Sequence, residues 1–174
     1  MARLISGKDV LALFREYDKR NTEDGTRIRF QSEVSLSEET SVEGTATTDG
    51  IYNTVSDGEN TAEFTSLAYT EDTDTIELWK ELKNFRRNNT YMEMWIVYNV
   101  GDTQTAEYMT GYISSYEMSA SADGQVELSY SFAIDGNPIE GTETLTDEQL
   151  GLVGEGAREY RSVIAANNTE EPEV

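Results

Sequence analysis

Residues Gln125–Asp135, QVELSYSFAID, decide the fold class. Val126, Leu128, Tyr130, Phe132 and Ile134 take alternate positions, with Gln125, Glu127, Ser129 and Ser131 between them. Successive side chains of a strand point to opposite faces, so this alternation predicts a strand with one face in a core and one outside it. Asp123-Gly124 before it reads as a hairpin turn, and Glu107–Met118 as the partner strand. Working outward, Val10–Phe14 (VLALF) predicts a short buried strand and Thr61–Tyr69 another. Arg27–Leu36 alternates, with Ile28, Phe30, Val34 and Leu36 on one face and Arg27, Arg29, Gln31 and Glu33 on the other. Tyr91–Val100 carries Met92, Met94, Ile96, Tyr98 and Val100 on one face and Tyr91, Trp95 and Val97 on the other, which predicts cover on both sides. Asp135-Gly136-Asn137-Pro138 ends the strand section.

Two segments break the period of two. In TEDTDTIELWKELKNFRR, from Thr70 to Arg87, Leu78, Leu82 and Phe85 recur at helical spacing with Thr75 a turn earlier and Trp79 beside them. Asp74 and Glu77 suit a capping-box start, and Arg86 and Arg87 suit the negative end of the macrodipole. These features predict one helix over about 73–87. Residues 37–60 (SEETSVEGTATTDGIYNTVSDGEN) are rich in Thr, Ser, Gly and acids, and read as a long loop or an extended hairpin. The order predicts a mainly β (α+β) domain, a β-sandwich or partial barrel with one flanking helix. Its expected span is 1–149. The acidic 150–174 reads as a C-terminal extension, with Thr146 and Gln149 able to cap a short helix just before it.

Charge is the second signal. The formal net charge is -21, and no lysine or arginine occurs between Phe30 and Trp79 or between Asn88 and Ala157. Such a chain repels nucleic acid and anionic membrane surfaces. No run approaches the roughly 20 apolar residues of a membrane span, and MARLISGKDV lacks the apolar core of an export signal. Without histidine or cysteine, the commonest general base, transition-metal ligand and thiol nucleophile are missing. No serine stands in a nucleophile motif, so the reading is not an enzyme and needs no cofactor. Glu71-Asp72-x-Asp74 lacks the glycine and the bidentate glutamate of a calcium loop, and an acid-rich helix start explains it. Tyr108, Tyr112 and Tyr116 are spaced to share a strand face with Thr110 and Ser114. That face suits a core or a subunit interface, or else the platform of a ligand-binding β-module. An acidic DNA mimic is a further alternative.

Several segments resemble the major tail tube proteins of siphophages of the lactococcal type. These are S-G-K-D-V-L-A-L-F-R from Ser6, F-Q-S-E-x-S from Phe30, T-A-T-T-D-G from Thr45, G-Y-I-S-S-Y-E-M from Gly111, D-G-Q-V-E-L-S-Y-S-F from Asp123 and G-N-P-x-x-G-x-x-T-L-T-D-E-Q from Gly136. Their order covers about Gly7 to Gln149. The resemblance implies a structural virion protein, made in the host cytoplasm and built into the phage tail. Six copies would form a ring, and rings would stack around the tape measure protein and meet other tail proteins. Genomic DNA would later pass through without tight binding. The type VI secretion tube protein shares this architecture.

The resemblance also implies that residues 37–60 reach between rings, which makes Thr45, Thr47, Thr48, Asp49, Gly50, Ile51 and Tyr52 candidate stacking residues. Glu33, Glu63 and Glu127 on outward strand faces are candidate lumen acids. Arg27, Arg29, Lys80, Arg86, Arg87 and Trp95 are candidate subunit-interface residues, and pairing of sheet edges between subunits would explain a Tyr91–Val100 strand that is apolar on both faces.

Overall fold

The computed structural model describes residues 2–70, 78–100, 104–146 and 149–150. The chain divides into two units, Met1–Thr144 and Leu145–Val174. In the second unit the Thr146 N–H donates to Gln149 Oε1 at 2.9 Å and the Gln149 N–H donates to Thr146 Oγ1 at 3.3 Å. This is the reciprocal capping pair that the spacing predicts.

The first unit contains, in chain order, β1 (Val10–Glu16), β2 (Thr26–Arg27), β3 (Gln31–Ser37), β4 (Thr40–Thr47), β5 (Gly50–Asp57), β6 (Asn60–Leu67), α1 (Leu78–Arg87), β7 (Met92–Tyr98), β8 (Gln104–Ser119), β9 (Glu127–Ile134) and β10 (Ile139–Glu143). One antiparallel sheet runs β2-β1-β7-β8-β9-β6-β3, with β10 also on β8, while among the described residues β4 and β5 pair only with each other. The long sheet folds around one core. Alternate residues of β6 and β9 point into it, among them Ala62, Phe64, Leu128, Tyr130 and Phe132, together with Ala12, Phe14, Met92, Met94 and Ile96. Among the described residues the sheet does not close as a barrel. The side chain of Gln31 bridges the gap to β1, accepting from the Ala12 N–H at 2.9 Å and donating to the Val10 carbonyl at 3.1 Å.

Helix α1 covers the core with buried Leu82 and half-buried Leu78, Trp79 and Phe85. It ends as expected at Arg87. The Thr90 N–H donates to Phe85 O and the Asn89 N–H to Arg86 O, with Asn89 at φ 50. That is a Schellman end with asparagine in the left-handed position. The expected start at Thr73, with Asp74, Thr75 and Glu77, lies outside the described residues, as do the Glu71–Asp74 acids and the Gly101-Asp102 turn.

Four sequence readings need correction. Arg27–Leu36 is not one strand: Phe30 sits at φ 53 and is exposed, and the ladder of β3 with β6 shifts between Gln31 and Glu33. A left-handed residue breaks the pleat, so Ile28 is buried and Phe30 is not. Tyr108, Tyr112 and Tyr116 do not share a face. A bulge between Ile113 and Ser115 moves Tyr116 to the core side, 5.3 Å from the Tyr130 ring, while Tyr112 faces outward. The strand section does not end at Pro138, because β10 extends the sheet along β8. All five β10 residues are exposed, so it lacks the alternation that a buried face imposes.

The fourth concerns β7. It is an interior strand between β1 and β8, and part of its second face is covered by its own chain. Glu93, buried there, accepts from Arg15 at 2.7 Å and from the Tyr108 hydroxyl at 2.7 Å, and Arg15 also donates to the Glu23 carbonyl. Trp95 packs on Tyr108 at 5.5 Å with the Arg15 guanidinium 5.0 Å over its ring. Arg15 neutralises the buried carboxylate, so this part of the strand's second face is covered within the subunit.

At Gly111, β8 and β9 approach so closely that a Cβ would overlap the Ala133 carbonyl oxygen. Gly111→Ala is expected to lower stability by about 1–3 kcal/mol, read as a lower urea midpoint, from forced overpacking. An unchanged midpoint would contradict this contact. Glu107 stands directly opposite Glu140 in the β8–β10 ladder, and burial, then the charges of Glu38 and Glu140, raise its carboxyl above the ordinary range. A carboxyl whose folded value exceeds its unfolded one adds stability at low pH that is lost as pH rises through the folded value. Glu107→Gln should therefore raise the thermal midpoint at pH 7, and the gain should shrink as pH falls through the raised folded value and vanish only below the carboxyl's ordinary value of 4.5. A pH-independent gain would contradict the assignment.

Candidate functional site

The outward face of β3, β6, β9 and the C-terminal half of β8 is a wall of hydroxyls and carboxylates. Cross-strand register sets it out in rows. Ser35, Glu63, Ser131 and Ser115 form one, Glu33, Thr65, Ser129 and Glu117 the next, and Leu67, Glu127 and Ser119 a third. The three candidate lumen acids, Glu33, Glu63 and Glu127, thus share one face, and the structure adds Glu117. The Ser131 hydroxyl donates to Glu63 at 3.4 Å. These four strand segments contain no lysine or arginine. Glu117 was missed because the bulge before it shifts the β8 alternation by one residue.

The basic helix lies on the other side of this sheet. The Tyr130 hydroxyl, on the inner face, donates to the Trp79 carbonyl at 3.1 Å, and Lys83 sits over the inward Tyr116 ring. Arg29 and Lys80 each lie over one ring of the linked Tyr69–Trp79 pair. Arg29 lies 4.9 Å over the Tyr69 ring, the Trp79 indole donates to the Tyr69 carbonyl, and Lys80 lies over Trp79. Arg86 and Arg87 are exposed in the last turn of α1. Arg27 and Trp95 are elsewhere, both paired with Leu13 from opposite sides of β1. Burial lowers the Arg27 guanidinium below its usual range. The candidate interface residues therefore form two groups rather than one patch.

Residues 37–60 form the extended hairpin, not a loop. The β4 and β5 strands pair from Thr40↔Asp57 to Thr47↔Gly50 around a Thr48–Asp49 turn. Eight residues at about 3.3 Å each make an arm roughly 25 Å long. Thr47 ties the turn, its hydroxyl donating to the Gly50 carbonyl at 2.8 Å. Register puts Val42, Gly44, Ala46, Ile51, Asn53 and Val55 on one face, and Glu43, Thr45, Tyr52 and Thr54 on the other. Every residue of both strands is exposed, with Val42 at 57%, Ile51 at 74% and Val55 at 65%. A lone two-stranded ribbon is marginal in water, so this apolar face calls for a partner. The candidate stacking residues Thr45, Thr47, Thr48, Asp49, Gly50, Ile51 and Tyr52 lie together in its outer half.

Among the described residues no group of three or more acids is placed to hold a metal ion, and no helix is long and apolar enough to cross a membrane. The tyrosine platform of a ligand-binding module is not assembled. Tyr116 lies inside, and the outward Tyr108 is occupied by Trp95 and Glu93.

The chain is 27% identical over 154 residues to a protein assigned to the tail of Staphylococcus phage phiMR25, covering 84% of this chain and 77% of that one. Its fold resembles the SPP1 tail tube solved by solid-state NMR and cryo-EM, with TM-score 0.65, 21% identity and 91% of each chain covered. It also resembles a protein of the gene transfer agent tail refined with C6 symmetry, with TM-score 0.58 and 12% identity over 78% of this chain and 98% of that one. Residues 4–140 match the family described as phage tail tube protein. That match spans nearly the whole strand-bearing unit, and the chain belongs to the phage tail tube protein family, a structural component of the phage tail.

Proposed function

We propose that this subunit forms rings that stack into a hollow tail tube, with the β3–β6–β9–β8 face lining the channel. The observation that carries the reading is the base-free wall holding Glu33, Glu63, Glu117 and Glu127 on the side of the sheet opposite the basic helix. A channel for DNA must not hold it. Each lumenal lysine or arginine could contact a phosphate and release counterions, slowing transit. Carboxylates prevent such contacts, and screening over about 8 Å at physiological salt keeps their repulsion local. The role is structural rather than catalytic. Residues 1–149 supply the tube domain and 150–174 an extension.

Adjacent copies in a ring meet through unlike surfaces, a contact closed by rotation. Six-fold closure is supported by the C6 gene transfer agent tail with a similar fold. Arg27, Arg29, Lys80, Arg86 and Arg87, away from the wall, either meet acidic faces of neighbours or lie on the tube's outer surface, and Trp95 contributes beside Arg27. The β4–β5 arm reaches the next ring, where its apolar face finds cover. The tape measure protein occupies the channel before DNA enters.

Deleting Thr45–Thr54 is expected to leave a folded subunit that does not stack; tubes of normal length from this variant, seen by electron microscopy, would sink the arm assignment. Replacing Glu33, Glu63 and Glu127 together by lysine is expected to give tubes that assemble but particles whose DNA release is slowed at least about tenfold at low salt, with the defect relieved as salt rises. Release at the normal rate across all salt concentrations would contradict the lumenal placement.

A further inference from the structure

We propose that Asn60 is the positioning residue that aims the β4–β5 arm. The inference rests on the reading of the arm as the ring-stacking element. The arm continues the β3–β6 ladder through a joint. Pairing runs to Ser37↔Thr61 on one side and resumes at Thr40↔Asp57 on the other. Two residues, Glu38 and Glu39, therefore face three, Gly58, Glu59 and Asn60. The extra residue is a bulge, the device by which a strand pair changes direction and twist. A bulge alone holds a ribbon's angle weakly, because the regular ladder is interrupted there and one backbone bond, from the Gly58 N–H to the Glu39 carbonyl, crosses it.

Asn60 supplies further bonds at the joint. It is 4% exposed, and its side chain engages both ends of the joint. Its Oδ1 accepts from the Glu39 N–H at 3.0 Å, at the start of the arm. Its Nδ2 donates to the Gly136 carbonyl at 2.7 Å and to Asn137 Oδ1 at 2.9 Å, in the turn after β9. Asn137 passes the link back to the arm, donating to Asp57 Oδ1 at 3.4 Å. The Gly58 N–H donates to the Glu39 carbonyl at 2.8 Å, and a side chain at 58 would collide with the Glu39 backbone. One buried amide thus ties the outgoing chain, the returning chain and the sheet's rim together. No other amino acid of this size offers an acceptor and two donors in one plane.

Absence of cysteine lets the arm's angle be measured directly. Spin labels at Thr48→Cys on the arm tip and Ser121→Cys in the β8–β9 turn report the tip-to-body distance. In the otherwise native chain a narrow distribution is expected. Asn60→Ala should broaden it while leaving the strand signal in circular dichroism intact, and should cut the yield of stacked tubes by about tenfold or more, as expected for losing on the order of 1.4 kcal/mol per contact. A distribution as narrow as in the native chain, or tubes at normal yield, overturns the proposal. If Asn60→Ala does not fold, Asn137→Ala carries the test. It cuts the links to Asn60 and Asp57 at an exposed position and must broaden the distribution. The Thr45–Thr54 deletion separates the two claims. Normal stacking without the arm refutes the arm's role. Stacking lost on deletion but kept in Asn60→Ala refutes only the aiming role.

Discussion

Phe64 and Tyr130 stack with ring centroids 4.9 Å apart on the inner face of β6 and β9, and the rest of the molecule is organised around that register. Side chains of a strand alternate, so fixing these two rings inward sends Glu63, Thr65, Ser129 and Ser131 outward. A slip of one residue would exchange the two sets and bury carboxylates. The same tyrosine hydroxyl holds the Trp79 carbonyl, which seats α1 and its cations on the inner side of the sheet. A single packing choice thereby separates the acidic wall from the basic helix.

Separation of charge then sets the terms of assembly. A subunit of net charge -21 repels its copies, and proximity in a ring raises that cost. Apolar burial must offset it. The arm offers its share openly, since Val42, Ile51 and Val55 are largely exposed. The bulged joint under Asn60 decides where that apolar face is delivered.

Much of this was legible in the sequence. The alternation in Gln125–Asp135 and the 3–4 spacing of Leu78, Leu82 and Phe85 each follow from one buried face and one exposed face, and both were readable. Glu33, Glu63 and Glu127 could be assigned outward for the same reason. What escaped was everything decided by a break in a period. Phe30 at positive φ splits one apparent strand into two, and the Ser114 bulge turns Tyr116 inward and Glu117 outward. β10 has no buried face and so no pattern. Asn60 gave no signal because its three hydrogen bonds join segments distant in sequence. The double cover of β7 was readable, but its cause was not, since the Arg15–Glu93 pair spans 78 residues.

In the proposed tube the wall faces the channel and the helix does not. A cryo-EM reconstruction of tubes assembled from this subunit measures that directly. The expected map shows stacked rings with Glu33, Glu63, Glu117 and Glu127 on the channel surface, Lys80–Arg87 away from it, and the β4–β5 arm against the next ring. A channel lined by the helix cations, with the four glutamates on the outer surface, would contradict it.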